Sequence, residues 1–253
     1  MKIEDRVSPY DYSFDPDGPS TAARIARLVG HGQRVLEVGC GYGVISRQLS
    51  QAQGCRVTGV EIDAESAEQA RPYLHALHVG TLEGDAWLPE VQDTYDVVVC
   101  ADVLEHLRDP AHTLSQLINL LAPSGRLVAS VPNVGHAGVI AALLGARFDY
   151  TTTGLLDETH LRFFTWDSLE RMLNSAGLEV LRRETVNAGG NHEQFLQYWQ
   201  PLPDVIKRML NAHPMANTFQ FVLEARRSDA PSRQWQAEDA AAQQRWVDEV
   251  NGG

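Results

Sequence analysis

The stretch Val35-Leu-Glu-Val-Gly-Cys-Gly-Tyr-Gly43 decides the fold. An apolar strand run enters three alternating glycines, Gly39, Gly41 and Gly43, and a helical pattern opens directly after them. Glycine permits the positive φ of a tight turn and lets a ligand come close to the backbone. The start of the following helix offers unpaired N–H donors to that ligand. A dinucleotide fingerprint would carry glycine where this chain has Val44, and Glu37 inside the strand also points away from it.

Outward from this stretch the same alternation repeats. Strand-like runs at 33–38, 56–60, 77–80, 95–100 and 126–131 are separated by helical patterns at about 43–52, 64–74 and 110–122. Strands spaced by helices of this length build βαβ units and a parallel sheet, and right-handed crossovers bring the strands' carboxyl ends to one ligand-binding edge. Upstream, Ser20 caps a helix that runs to about Val29 and stops at Gly30 and Gly32. Downstream, 178–186 and 218–226 are two further strands, and Thr165 caps a helix stopped by Gly177. The expected fold is α/β: a Rossmann-like, doubly wound, seven-stranded and mostly parallel sheet.

Two segments break the alternation, 133–164 with a small-residue helix and a Thr/Gly loop, and the aromatic, amide-rich 191–213. Both are expected to form a substrate lid inserted in a domain spanning 1–227. In 191–213, Phe195, Tyr198 and Trp199 offer either a stacking wall or core packing, and Tyr10 and Tyr12 either close over a ligand or pack. The remainder, 228–253, is an acidic Ala/Gln-rich tail in which Trp235, Ala242, Trp246 and Val250 share one helical face.

Composition narrows the partners. In 253 residues, 33 acids face 21 Lys and Arg for a net charge of −12, which argues against a nucleic-acid binder. No run approaches the apolar length that spans a bilayer, and the N-terminal stretch lacks the charged and apolar regions of a secretion signal. No membrane insertion and a cytoplasmic location are the expectations. Cys40, Cys55 and Cys100 lack framework spacing and read as reduced core thiols.

Two acids extend the glycine signal. Glu61 falls at the end of the second strand, where a carboxylate accepts both hydroxyls of a ribose, while Asp63 caps the next helix. Such charge-assisted bonds contribute about 1.5–3 kcal/mol. Asp85, in Gly84-Asp85-Ala86, is expected where a third strand ends and could accept from an adenine amino group.

With these residues in order, the sequence resembles a class I S-adenosylmethionine-dependent methyltransferase from about Ser20 to Arg226. The resemblance implies S-adenosyl-L-methionine as cofactor. It implies Glu37 and Gly39, Cys40 and Gly41 around the methionine part, Glu61 and Ile62 at the ribose, Asp85 and Ala86 at the adenine, and Ala101 with Asp102 after the fourth strand. Asp102-Val-Leu-Glu-His106 with Asp109-Pro110, Leu121-Ala-Pro-Ser-Gly125, and His160-Leu-Arg-Phe-Phe-Thr165 are similar to a branch of quinone-biosynthesis, glycan and natural-product O-methyltransferases. That similarity implies transfer to a hydroxyl of a glycan or small hydroxylated metabolite, the glycan being favoured by the His160–Thr165 segment. A quinone or natural-product acceptor, at O or N, is the alternative, and a catalytically silent binding module is the alternative of another class. A nicotinamide-dependent enzyme is a weaker reading.

Transfer to oxygen requires loss of a proton, and histidine is the natural base near neutrality. His106 and His160 are the candidates, since the other histidines fit loops and helix surfaces. Asp102, Glu105 and His106 have the i, i+3, i+4 spacing of one helical face, the trio with which some similar quinone methyltransferases are thought to hold a divalent ion; the expectation here is no metal.

Overall fold

The computed structural model describes residues 14–88, 91, 93–229 and 236–252, so Tyr10, Tyr12 and Trp235 lie outside the described residues. Five strands run parallel: β1 (Arg34–Val38), β2 (Arg56–Glu61), β3 (Ala76–Val79), β4 (Tyr95–Ala101) and β5 (Leu121–Pro132). β7 (Thr218–Arg227) runs antiparallel to both its neighbours and is seated between β5 and β6 (Leu178–Asn187), so β6 points the same way as the first five strands. The sheet order is β3-β2-β1-β4-β5-β7-β6. The chain winds outward one way from β1 to β3 and the other way from β4 to β5. The switch point between β1 and β4 therefore opens at the strands' carboxyl ends.

Local chemistry explains the elements. Val97, Val98 and Val99 in β4 are all buried, as expected of a parallel strand covered on both faces. One face carries a core of Leu36, Val98, Leu114, Leu169 and Phe221; the other packs Ile25, Val29, Val57, Val99 and Val222. Ser20 caps α1 (Thr21–Val29), Asp63 caps α3 (Ala64–Ala70) and Thr165 caps α6 (Trp166–Ser175). In each, the side-chain oxygen accepts one of the N–H groups left without an intrahelical partner. Between them, α2 (Val44–Arg47) widens into a π-helical turn at Gln48–Ala52. α4 (Pro110–Asn119) stops earlier than its pattern suggests, because Leu121 pairs with Tyr95 and starts β5.

The two segments expected to form a lid carry α5 (Ala137–Leu144), α7 (Leu196–Trp199) and α8 (Asp204–Ala212). His136 caps α5: its Nδ1 accepts from Gly138 N at 3.1 Å, and its Nε2 lies 2.8 Å from Ala188 O. His136 thus sits at the loop-to-helix junction, and its ring is buried, which lowers its pKa. Of the two readings of the aromatic segment, packing holds for Phe195 and Trp199, which are buried within the lid. Gly138 is required there, because a Cβ would stand 2.4 Å from the Phe195 ring. The tail forms α9 (Gln236–Gly252) and folds back on the domain: Trp246 Nε1 donates to Met209 O at 2.9 Å, and Arg183 pairs with Asp239 at 2.8 Å. Among the described residues no helix is long and apolar enough to cross a membrane.

Candidate active site

At the β1/β4 switch point lies a cleft of about 490 Å³, within the size range of small-ligand sites. Glu37, Gly39, Cys40, Gly41, Glu61, Ile62 and Ala101 all line it, so seven of the nine residues expected at the cofactor converge there. The backbone makes the cleft possible. Gly39, Gly41 and Gly43 have φ of 66°, 52° and 76°, a region that side chains other than glycine's rarely enter. A Cβ on Gly39 would meet Val103 Cγ2 at 2.6 Å, whereas one on Gly41 would meet nothing within 4 Å. The turn thus packs tightly at its start and opens onto free space at Gly41.

Glu61 ties the two strands together. Its carboxylate accepts from Gly41 N at 2.8 Å, from Ile62 N at 2.8 Å and from Asp63 N at 2.9 Å. Ile62 leaves 70% of its surface open, and with Leu82 it gives the cleft apolar lining. Glu37 is buried below the turn, where it accepts from Ser46 Oγ; burial, opposed by that hydrogen bond and reinforced by the Glu61 charge, pushes its carboxyl up to about 7. Burial likewise pushes the Cys40 thiol up, which leaves it inert.

Asp85 and Ala86 are the exceptions: neither lines the cleft. Asp85 Oδ1 lies 3.1 Å from His112 Nε2 and also accepts from Gln116. The reason is register. β3 ends at Val79, and Gly80 N donates to Glu61 O at 2.8 Å, so Thr81, Leu82 and Glu83 come first to the sheet edge. These three, with Ser66, Val103 and Leu107, are cleft residues that the sequence reading missed. The apolar Leu82 two residues after a strand-ending glycine was the signal available.

Beyond the cleft, a smaller cavity of about 190 Å³ continues under the lid, walled by Pro132, Leu155 and Phe219 together with Glu105, His106 and His160. Asp102 and His106 line both spaces. Asp102 has φ 54°, and its Oδ1 accepts from Ser130 Oγ at 2.7 Å and from Gln220. That left-handed residue ends β4 and breaks the expected helical face of Asp102, Glu105 and His106; only Leu104–His106 form a short 3-10 turn. The lid supplies the third member instead. Leu161 N and Arg162 N both donate to Glu105 O, at 2.8 and 2.9 Å, and bring His160 against His106 with ring centroids 4.8 Å apart at 75°. Ligand-type atoms of Glu105, His106 and His160 lie within 4.8 Å of one another, close enough to share a cation.

The electrostatics of this corner favour neutral groups. Burial, with the nearby Asp102 and Asp157 charges and opposed only by the residue's own backbone N–H, holds the Glu105 carboxyl well above the ordinary range. Burial and the neighbouring His106 lower the pKa of His160, against the pull of Asp157. A second, separate cavity of about 420 Å³ lies under α9 and shares no lining residue with the cleft.

The cleft's donor set fits a sulfonium nucleoside: a carboxylate at the strand end for a ribose diol, apolar faces at Ile62 and Leu82, an open glycine backbone, and the buried acid Glu37 for positive charge. Comparison with known proteins agrees. A family model described as a methyltransferase domain matches residues 18–183. The ubiquinone biosynthesis O-methyltransferase of Aeromonas salmonicida (strain A449) is 32% identical over 170 residues, covering 65% of this chain and 70% of that protein. The protein of the same name from Xanthomonas axonopodis pv. citri (strain 306) is 34% identical over 186 residues, 66% of this chain and 75% of that one. The chain spans only 62–66% of the length of other such relatives. Magnesium protoporphyrin IX methyltransferase from Synechocystis PCC 6803, solved with bound S-adenosylhomocysteine, shares the fold with a TM-score of 0.56 at 18% identity over 83% of each chain. The chain belongs to the methyltransferase-domain family and is an enzyme that takes its methyl group from S-adenosylmethionine.

Proposed function

We propose that the protein is an O-methyltransferase whose acceptor is a hydroxyl on a single ring of the phenol or quinol type. The observation that carries this reading is the cavity of about 190 Å³ that joins the cofactor cleft at Asp102 and His106. A cavity of about 150 Å³ is known to admit one benzene ring, so this one matches a single substituted ring. Pro132, Leu155 and Phe219 suit the faces of such a ring, and His106 and His160 suit its hydroxyl edge. The relatives named for ubiquinone biosynthesis support the same class and move the reading away from the glycan that the sequence first favoured.

In this reading the cofactor supplies an electrophilic methyl group on a positively charged sulfur. The residues of this chain do the rest. Glu61 and the glycine turn hold the cleft side, while Pro132, Leu155 and Phe219 orient the ring. Fixing two reactants in line removes several kcal/mol of entropic barrier. His106 accepts the one hydroxyl proton, a contribution of about 10²- to 10⁴-fold, and His160, whose pKa burial lowers, stands beside it at the hydroxyl edge.

Calorimetry on protein saturated with S-adenosylhomocysteine tests the acceptor class. Catechol is expected to bind with one-to-one stoichiometry, and a methyl hexoside is not. Binding of the hexoside with no response to catechol would return the reading to glycans.

A further inference from the structure

The inner nitrogen of His106 faces Thr159, which lines neither the cleft nor the smaller cavity and is held by Asp157, a residue of that cavity's wall. Nδ1 of His106 lies 3.1 Å from Thr159 Oγ1 and 3.3 Å from Thr159 O. The Thr159 hydroxyl has one proton to give, and Asp157 Oδ1 takes it at 2.6 Å. The same Asp157 oxygen accepts from Thr159 N at 2.8 Å, which locks the residue in place. Thr159 Oγ1 is thereby left with lone pairs only toward the ring, and a carbonyl oxygen can only accept. Two acceptors facing one imidazole nitrogen require a hydrogen on it.

We infer that Asp157 and Thr159 are positioning residues that hold neutral His106 as its Nδ1–H tautomer, leaving Nε2 as the nitrogen that accepts the hydroxyl proton. The inference rests on the proposed role of His106 as a base. Its logic is the one by which a buried carboxylate fixes the catalytic histidine of serine proteases, where the wrong tautomer costs about 10⁴-fold. Here the carboxylate acts through a threonine hydroxyl, and the carbonyl of that threonine provides a second acceptor. The arrangement also explains the lid loop. Thr159 reaches His106 only because Leu161 N and Arg162 N pin the strand of chain after it to Glu105 O.

The test reads the tautomer without turnover. Long-range ¹H–¹⁵N spectra of labelled full-length protein at pH 8, with S-adenosylhomocysteine bound, are expected to show His106 protonated at Nδ1. Thr159→Val and Asp157→Ala should move population to the Nε2–H form and lower kcat about 10- to 100-fold with little change in the cofactor KM, while Thr159→Ser keeps both near wild type. Retained S-adenosylhomocysteine binding certifies that each variant folds, and either variant alone suffices. An Nε2–H tautomer in the wild type, or an unmoved tautomer in the folded variants, overturns the inference. Should His106→Gln leave kcat intact while the tautomer responds as expected, the base assignment fails and the positioning contact stands.

Discussion

The Glu61 carboxylate accepts the backbone N–H of Gly41 at 2.8 Å, so the acid at the end of β2 and the open glycine of the β1 turn are one unit. The same side chain holds Ile62 N and Asp63 N, which sets the rim of the cleft. Its substitution therefore affects the turn that shapes the site as well as the proposed ribose contact.

Glu61→Gln keeps the side-chain volume but removes the charge, and its amide nitrogen cannot accept the backbone N–H groups that one carboxylate oxygen now holds, so the turn loosens as well. Loss of a charge-assisted pair of bonds to a diol corresponds to about 1.5–3 kcal/mol, so the affinity for S-adenosylhomocysteine should fall about 10- to 100-fold. Calorimetry reads this directly, and an unchanged dissociation constant would remove Glu61 from the site.

Glu37 makes the cofactor site sensitive to pH. Its carboxyl stands at about 7 in the folded protein against an ordinary 4.5, so between these values the folded state binds the proton more tightly than the unfolded state. Stability contributed by that proton is complete at low pH and lost as pH rises through 7, an effect on the order of 3 kcal/mol. Glu37→Gln should raise the melting temperature at pH 8 and leave it nearly unchanged at pH 5. A cationic cofactor favours the ionised carboxylate, so S-adenosylmethionine should bind more tightly as pH rises toward 7 and release a proton as it binds. Titrations in two buffers of unlike ionisation heat measure the proton, and a buffer-independent heat would contradict the account.

Two substitutions distinguish Leu82 from Asp85 as the proposed adenine edge. Asp85→Ala should leave cofactor affinity within about twofold, because Asp85 is engaged with His112 and Gln116 outside the cleft. Leu82→Asp, which places a charge on an apolar wall, should weaken it at least tenfold, about 1.4 kcal/mol. The opposite pair of results would put the adenine back at Asp85.

The parts of the site legible in the sequence are those fixed by near neighbours. Gly39 to Gly43, Glu61 and the capping residues Ser20, Asp63 and Thr165 are each determined within a few residues of chain, and the structure finds them in the expected places. Asp85 falls outside the cleft because β3 is short and half-buried, so nothing in its pattern marks where the edge begins. The helical spacing of Asp102, Glu105 and His106 misled because Asp102 takes φ 54°, a conformation no spacing rule anticipates. The encounter of His106 with His160 depends on a loop more than fifty residues downstream whose anchor is the backbone oxygen of Glu105. The docking of the tail likewise depends on Arg183 and Met209, both distant in sequence from Asp239 and Trp246.

In the proposed reaction the methyl group passes to a ring hydroxyl held at His106 and His160. Incubation with S-adenosylmethionine deuterated in the methyl group, a dihydroxybenzene and an equal amount of a methyl hexoside, followed by mass spectrometry and NMR of the products, tests it most directly. The account predicts the label on oxygen of the ring compound, with the rate falling at least 100-fold in the His106→Gln, His160→Gln double variant. Label on the sugar, on nitrogen or on carbon, or an undiminished rate in the double variant, would contradict it.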